Sequence, residues 1–207
     1  MSEEENIPDI PGVDSETNKI TPYQEIVINE IPSGSIIDIG AGGEGVIAQV
    51  GGKRITAVDK RQGEIDEAKD KAPDANWVVA DALDLPFENE EFDNATSFFC
   101  GMYMSNKDLP QSIKEIYRVL KPGGEFWIWD SKIDTDKESF IIVLSITLPE
   151  KEKFGTGYGT GKKLQNEEMK VNKNWFFIKA KKREEVISVS HFQISQEINK
   201  GISESIS

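Results

Sequence analysis

The run S-I-I-D-I-G-A-G-G-E-G at residues 35–45 constrains this chain more than any other stretch. Isoleucines flanking one acid read as a buried strand, and that strand opens directly into a loop holding Gly40, Gly42, Gly43 and Gly45. Glycine tolerates positive φ and carries no Cβ, so such a loop turns sharply and lets a ligand approach the backbone. The N–H groups at the start of a following helix would face that ligand. Taken alone, the run is equally a strand and turn that bind nothing, so the remainder of the chain has to decide.

The pattern downstream repeats the same grammar. Residues 46–50 can form only a short helix before Gly51 and Gly52 break it, and residues 53–58 return as a strand ending at Asp59. A charged surface helix is predicted over 61–72, stopped by Pro73, then a strand over 76–80 ending at Asp81, and another over 92–99. Ile113, Ile116, Tyr117 and Leu120 repeat at helical spacing behind Asp108, read as the N-cap. Residues 120–124, L-K-P-G-G, stop that helix, and a strand over 125–129 ends at Asp130. Strands alternating with helices predict a parallel sheet with right-handed crossovers.

The flanks read differently. Residues 1–18 are acidic and aperiodic and are expected to be a flexible lead-in. In T-P-Y-Q at 21–24, threonine as N-cap, proline at the first helical position and a capping-box glutamine predict a helix within residues 19–31, stopped by Pro32 and Gly34. Beyond Ser139, apolar residues 140–148, a glycine-rich turn over 155–161 and strands over 175–180 and 186–194 predict antiparallel strands added to one edge of the sheet. The reading is a single domain over 19–207: a core at 19–131 and a β-rich extension at 132–207.

Charge narrows the partners. The net charge of −13 divides into −16 over residues 1–149 and +3 over 150–207, which opposes binding to nucleic acid. One cysteine, Cys100, excludes a disulfide framework and a thiolate metal site and fits a reducing compartment. An acidic start and the lack of a long apolar run predict neither secretion nor a membrane span, so a cytoplasmic location is expected.

In an open parallel sheet, ligands bind outside the carboxyl ends of the strands. Asp59 follows Gly40 by 19 positions, the spacing at which an acid accepts hydrogen bonds from ribose hydroxyls, and Asp81 suits an exocyclic amine. Residues 40–45 also satisfy G-x-G-x-x-G, but Glu44 and a short helix suit a pyrophosphate poorly. Asp38, Glu44, Asp59, Asp81 and Asp84 form a rim better matched to a cationic sulfonium and ammonium group.

Five segments resemble, in order, the Rossmann-like methyltransferases dependent on S-adenosylmethionine, type 11 family: I-I-D-I-G-A-G-G-E-G, A-V-D-K, A-D-A-L-D-L-P-F, F-D-N-A-T-S-F-F and R-V-L-K-P-G-G-E-F-W-I-W-D. The resemblance covers residues 36–130 and implies a three-layer α/β/α fold. It implies that Gly40, Ala41 and Gly42 pass the methionine portion of the cofactor with Asp38 behind them. By the same resemblance Asp59 holds the ribose, Lys60 packs beside the adenine, Asp81 and Ala82 read its edge, and Phe98 and Phe99 wall the methionine end. The chain departs from the family at Glu44, in place of its third glycine, and at Tyr103, where many relatives have histidine.

The expected activity is methyl transfer to a small molecule, with the acceptor site built from residues 19–31, from 100–107 and from the tail, whose residues 154–161 are a candidate flap. His191 is read as structural or exposed, Tyr103 and Asp130 lie nearer the pocket, and no catalytic base is assigned. A nicotinamide-dependent oxidoreductase, or a non-catalytic cofactor-binding module docking a partner through the basic tail, is the alternative.

Overall fold

The computed structural model describes residues 7–133, 135–149, 151, 153–162 and 174–183. In chain order its elements are β1 (Asn18–Val27), β2 (Ile36–Ile39), α1 (Val46–Gly51), β3 (Ile55–Asp59), α2 (Gln62–Lys71), β4 (Asn76–Val79) and β5 (Phe92–Phe98), then α3 (Asp108–Val119), β6 (Leu120–Ser131), β7 (Ser139–Thr147), β8 (Phe154–Lys162) and β9 (Trp175–Lys181). The principal sheet runs β4-β3-β2-β5-β6-β9. Its first five strands pair in parallel, with Asp38 opposite Ala57 on one side and Thr96 on the other. All four residues of β2 are buried, as expected of the strand at the centre.

Strand order leaves β2 in both directions, and right-handed crossovers therefore put the following helices on opposite faces. Val46, Ile47 and Ala48 of α1 join one buried cluster, while Ile116 and Val119 of α3 join the other. This is the α/β Rossmann-like arrangement expected from the sequence. Ser105, rather than Asp108, caps α3: its Oγ accepts the N–H groups of Lys107 and Asp108, each at 3.2 Å.

Two expectations are overturned. No helix forms within residues 19–31; residues Asn18–Val27 are strand β1 and pair in parallel with β7. The hydroxyl of Thr21, read as an N-cap, instead accepts the N–H of Val143 from 122 positions away. Local capping signals lost to an alternation in which Ile26 and Ile28 are buried and Tyr23 and Val27 exposed.

The second correction concerns the tail. Among the described residues of the tail, β9 alone extends the principal sheet, antiparallel to β6. β7 and β8 leave it and join β1 in a separate sheet of order β1-β7-β8. The glycines read as a turn or flap recur at alternate positions, 155, 157, 159 and 161, and the segment is a strand paired antiparallel to β7. The reason is apolar cover: Phe98, Trp127 and Trp129 are buried in one cluster with Phe140, Ile142, Leu144 and Ile146. The small sheet thus takes part of the layer that helices alone were expected to form. The strand expected over 186–194, with His191, lies outside the described residues.

The L-K-P-G-G segment and the arginine before it do more than end a helix. Arg118 donates to the carbonyl oxygens of Leu85 at 2.8 Å and Phe87 at 2.6 Å, while Glu115 accepts the Leu85 N–H at 2.9 Å and pairs with Arg118 at 2.7 Å. The loop after β4 is therefore pinned to α3. Among the described residues no helix is long and apolar enough to cross a membrane.

Ile142→Ala is expected to cost about 2–5 kcal/mol, with one cooperative transition in denaturant followed by tryptophan fluorescence, because both sheets share a core; separate transitions for the two sheets would contradict that. Arg118→Met is expected to cost about 1.5–3 kcal/mol and to speed amide hydrogen exchange over residues 85–89 more than elsewhere.

Candidate functional site

The candidate site lies where the parallel strands end, around the loop that follows β2. Gly40, Gly42 and Gly45 take φ values of +66°, +60° and +53°, in the left-handed region that glycine tolerates. A Cβ on Gly40 would collide with the Cys100 thiol, so the loop and the segment after β5 touch because that atom is missing.

The loop's donors are turned inward. The N–H of Ala41 donates to the Val58 carbonyl at 3.0 Å, that of Gly42 to Asp59 Oδ2 at 3.1 Å, and that of Gly43 to Glu64 Oε2 at 2.6 Å. The Gly45 N–H bonds back to Ala41 at 3.2 Å. These four groups do not wait for an anion. Two of them are held by carboxylates, so the loop is lined with negative charge instead. Glu44, read as part of the rim, pairs with Lys71 at 3.1 Å. Lys71 also binds Glu67 at 2.8 Å and the Gly43 carbonyl at 2.9 Å, clamping the loop to α2.

Beneath the loop, Asp38 is 1% exposed. Its Oδ1 accepts the Thr96 hydroxyl at 2.7 Å, and its Oδ2 is buried with no hydrogen-bond partner among the described residues. Burial pushes its carboxyl up to about 7, against the Thr96 hydrogen bond and with a smaller push from the charge of Asp59. A buried carboxylate oxygen with no donor is costly unless a cation or donor reaches it.

Asp59 is also buried, and its second oxygen accepts the Arg61 N–H at 2.9 Å. Lys60, beside it, is exposed. Asp81 lies at the end of β4 with its Oδ1 accepting the Leu83 N–H at 3.0 Å, and it forms an isolated bridge to Asp84; Ala82 is half-buried. Phe98 and Phe99 pack edge to face with centroids 4.9 Å apart, both buried, and Phe99 takes a φ of +54°. They stand in the core shared with the small sheet, next to Ala41 and Met102. Asp38, Gly40, Ala41, Gly42 and Asp59 thus meet at one place, with Asp81, Ala82 and Lys60 on the neighbouring strand ends.

Sequence reasoning missed three contributors on α2 and placed Asp130 near the pocket. Glu64, Glu67 and Lys71 hold the loop from α2, and their spacing on one helix face was visible. Asp130 closes the other side: its carboxylate accepts the N–H groups of Ser131, Gly101 and Met102. Burial pushes Asp130 up to about 6 and the Cys100 thiol up to about 12, the latter helped by the charges of Asp130, Asp59 and Asp38. Cys100 is therefore a packing residue and a poor nucleophile. Among the described residues no group of three histidine, cysteine or acidic side chains is placed to hold a metal.

Residues 37–128 match the family model described as Methyltransferase domain. The chain is 48% identical over 59 residues to the 2-phytyl-1,4-naphtoquinone methyltransferase of Nostoc punctiforme, covering 28% of this chain and 24% of that protein. It is 34% identical over 113 residues to the sterol 4-C-methyltransferase strm-1 of Caenorhabditis elegans, covering 50% and 33%. This chain thus spans about a quarter to a third of the length of these two curated relatives. Among solved structures, the YcgJ protein from Bacillus subtilis overlaps 50% of this chain and 46% of its own at a TM-score of 0.43 and 25% identity. The likeness to the family described as Methyltransferase domain thus runs over residues 37–128, from the central strand to the fifth parallel one.

Proposed function

We propose that the protein is an S-adenosylmethionine-dependent methyltransferase acting on a small-molecule acceptor in the cytoplasm. The observation that carries this reading is the polarity of the glycine loop. Its amides are spent on Asp59 and Glu64, and the carboxylate oxygen left without a partner is Asp38 Oδ2. A loop of that kind suits a cation and opposes the pyrophosphate of a nicotinamide dinucleotide. The names of the quinone and sterol methyltransferases that it resembles support a small acceptor.

The residues present fit the cofactor that this family implies. Asp38, with Gly40, Ala41 and Gly42, would hold the methionine portion, and Asp59 would take the ribose through the lone pairs its two backbone contacts leave free. Lys60, Asp81 and Ala82 would contact the adenine. Phe98 and Phe99 would act from beneath, as the apolar support that fixes the loop. When bound, the cofactor supplies a methyl group on a good leaving group, a sulfonium. The chain's contribution is then positioning and exclusion of water, which the buried aromatic layer and the loop clamped by Lys71 provide.

Asp59→Ala is expected to weaken S-adenosylhomocysteine binding at least about tenfold, measured by calorimetry, since it removes a charge-assisted pair of contacts; unchanged affinity would sink the reading. A second expectation concerns pH. Because the ionised form of Asp38 is the one that receives a cation, affinity for S-adenosylmethionine rises as pH increases through about 7. Below that value it falls by up to about tenfold per unit, and Asp38→Asn binds weakly without that dependence. The free protein shows the opposite trend. The contribution of Asp38 to its stability is fully present below the ordinary 3.8 and is lost as pH rises towards about 7, because the unfolded chain ionises Asp38 first; Asp38→Asn should remove that component of the slope in urea titrations.

A further inference from the structure

A methyltransferase acting on a weakly acidic group needs somewhere to send a proton, and the groups at the carboxyl end of the sheet are mostly spent. Asp59 and Asp130 are engaged by backbone N–H groups. Asp38 lies beneath the loop with Thr96, and the Cys100 thiol is packed against Gly40. Lys132 differs from all of these. It follows the end of β6 by one residue, two positions beyond Asp130, and its N–H donates to the Asn174 carbonyl at 2.9 Å, fixing the backbone there. The residue is half-buried, yet its Nζ is shielded from solvent and has no hydrogen-bond partner among the described residues.

An amine in that position has two states, and both point to one ligand chemistry. As an ammonium it has no salt-bridge partner among the described residues, so it favours an anionic oxygen; as a free amine it holds a lone pair ready for a proton. Burial lowers its tendency to stay charged. An amine acceptor would gain nothing, since a neutral amine is already nucleophilic and its cationic form would be repelled. An acidic hydroxyl, of phenol or quinol type, matches both states, and its proton affinity is close to that of a lysine amine.

We propose that Lys132 receives the proton of the methyl acceptor, and that the acceptor presents an acidic hydroxyl to it. This rests on the methyl-transfer reading above. In the step, the hydroxyl proton passes to Lys132 Nζ, the oxygen forms the new bond to the methyl carbon, and the carbon–sulfur bond breaks with its electron pair going to sulfur. The products are a methyl ether, a neutral thioether and a charged Lys132, which returns its proton to solvent when the product leaves.

The test uses the full chain saturated with S-adenosylhomocysteine and 4-nitrophenol as the probe, followed by absorbance at a pH one unit below the probe's solution pKa. The expected result is a nitrophenolate band on binding, an apparent lowering of the probe's pKa by at least about one unit, or tenfold. Lys132→Met and Lys132→Arg are both expected to lose that band, since neither side chain can take up the proton, while all three proteins bind S-adenosylhomocysteine equally; a band retained in Lys132→Arg would show that charge alone suffices and overturns proton transfer to Lys132. Failure of the wild-type protein to bind S-adenosylhomocysteine would defeat the methyl-transfer reading itself. Normal cofactor binding with no nitrophenolate band, or with a band that persists in Lys132→Met, overturns the role of Lys132. Should the variants not fold, acetylation of Lys132 by acetic anhydride, read by peptide mass spectrometry, decides the matter: 4-nitrophenol is expected to suppress it, and undiminished labelling overturns the proposal.

Discussion

A carboxylate buried at the end of the central strand is the constraint on which the rest of this structure depends. Asp38 lies in the middle of the principal sheet, 1% exposed, with one oxygen bound to Thr96 and the other without a donor. Burying such a group opposes folding unless the surroundings are fixed. Here they are fixed from three sides: β3 and β5 pair with β2 in parallel, and the glycine loop closes over its end. The Thr96 hydroxyl can reach Asp38 only because parallel pairing places the two residues opposite one another. Register, loop path and electrostatics at the site are thus one problem with one solution.

The same constraint explains why the loop is so rich in acid contacts. A phosphate-binding loop leaves its amides open and its helix N-terminus long and uncluttered. In this chain α1 has six residues, the amides of Gly42 and Gly43 are taken by Asp59 and Glu64, and basic groups nearby are paired with acids, Lys71 with Glu44 and Glu67 and Arg61 with Glu64 and Asp59. What remains for a ligand is the Asp38 carboxylate beneath a clamped turn. Around it stands an apolar layer to which two sheets contribute, with Phe98, Trp129 and Ile142 in one core.

Much of this was legible in the sequence, and the rest was not, for a physical reason. β2 to β5 read correctly because each is a short run of β-branched and aromatic residues bounded by glycine, proline or an acid; β6, read over 125–129, begins already at Leu120 and takes in the L-K-P-G-G segment. Asp38, Asp59 and Asp81 could be located because strand ends in a parallel sheet face one cleft. T-P-Y-Q misled, since threonine, proline and glutamine signal a helix start only when no strand competes. Its competitor, β7, lies about 120 residues away, and no local pattern records that pairing. Likewise the alternating glycines of β8 look like a turn until their partner strand is known.

The sequence by itself determined the parallel core, the acid-tipped strands and the glycine turn between them, because those depend on local periodicity and on backbone freedom at single residues. Tertiary structure decided which groups remain available for chemistry. It spent the loop amides on carboxylates, paired Glu44 with Lys71, packed Cys100 against Gly40, and left the Lys132 amine and Asp38 Oδ2 without partners among the described residues. Hydrogen bonds and ion pairs between residues far apart in the chain cannot be counted until the fold has brought them together, and the chemistry of the site is what that count leaves over.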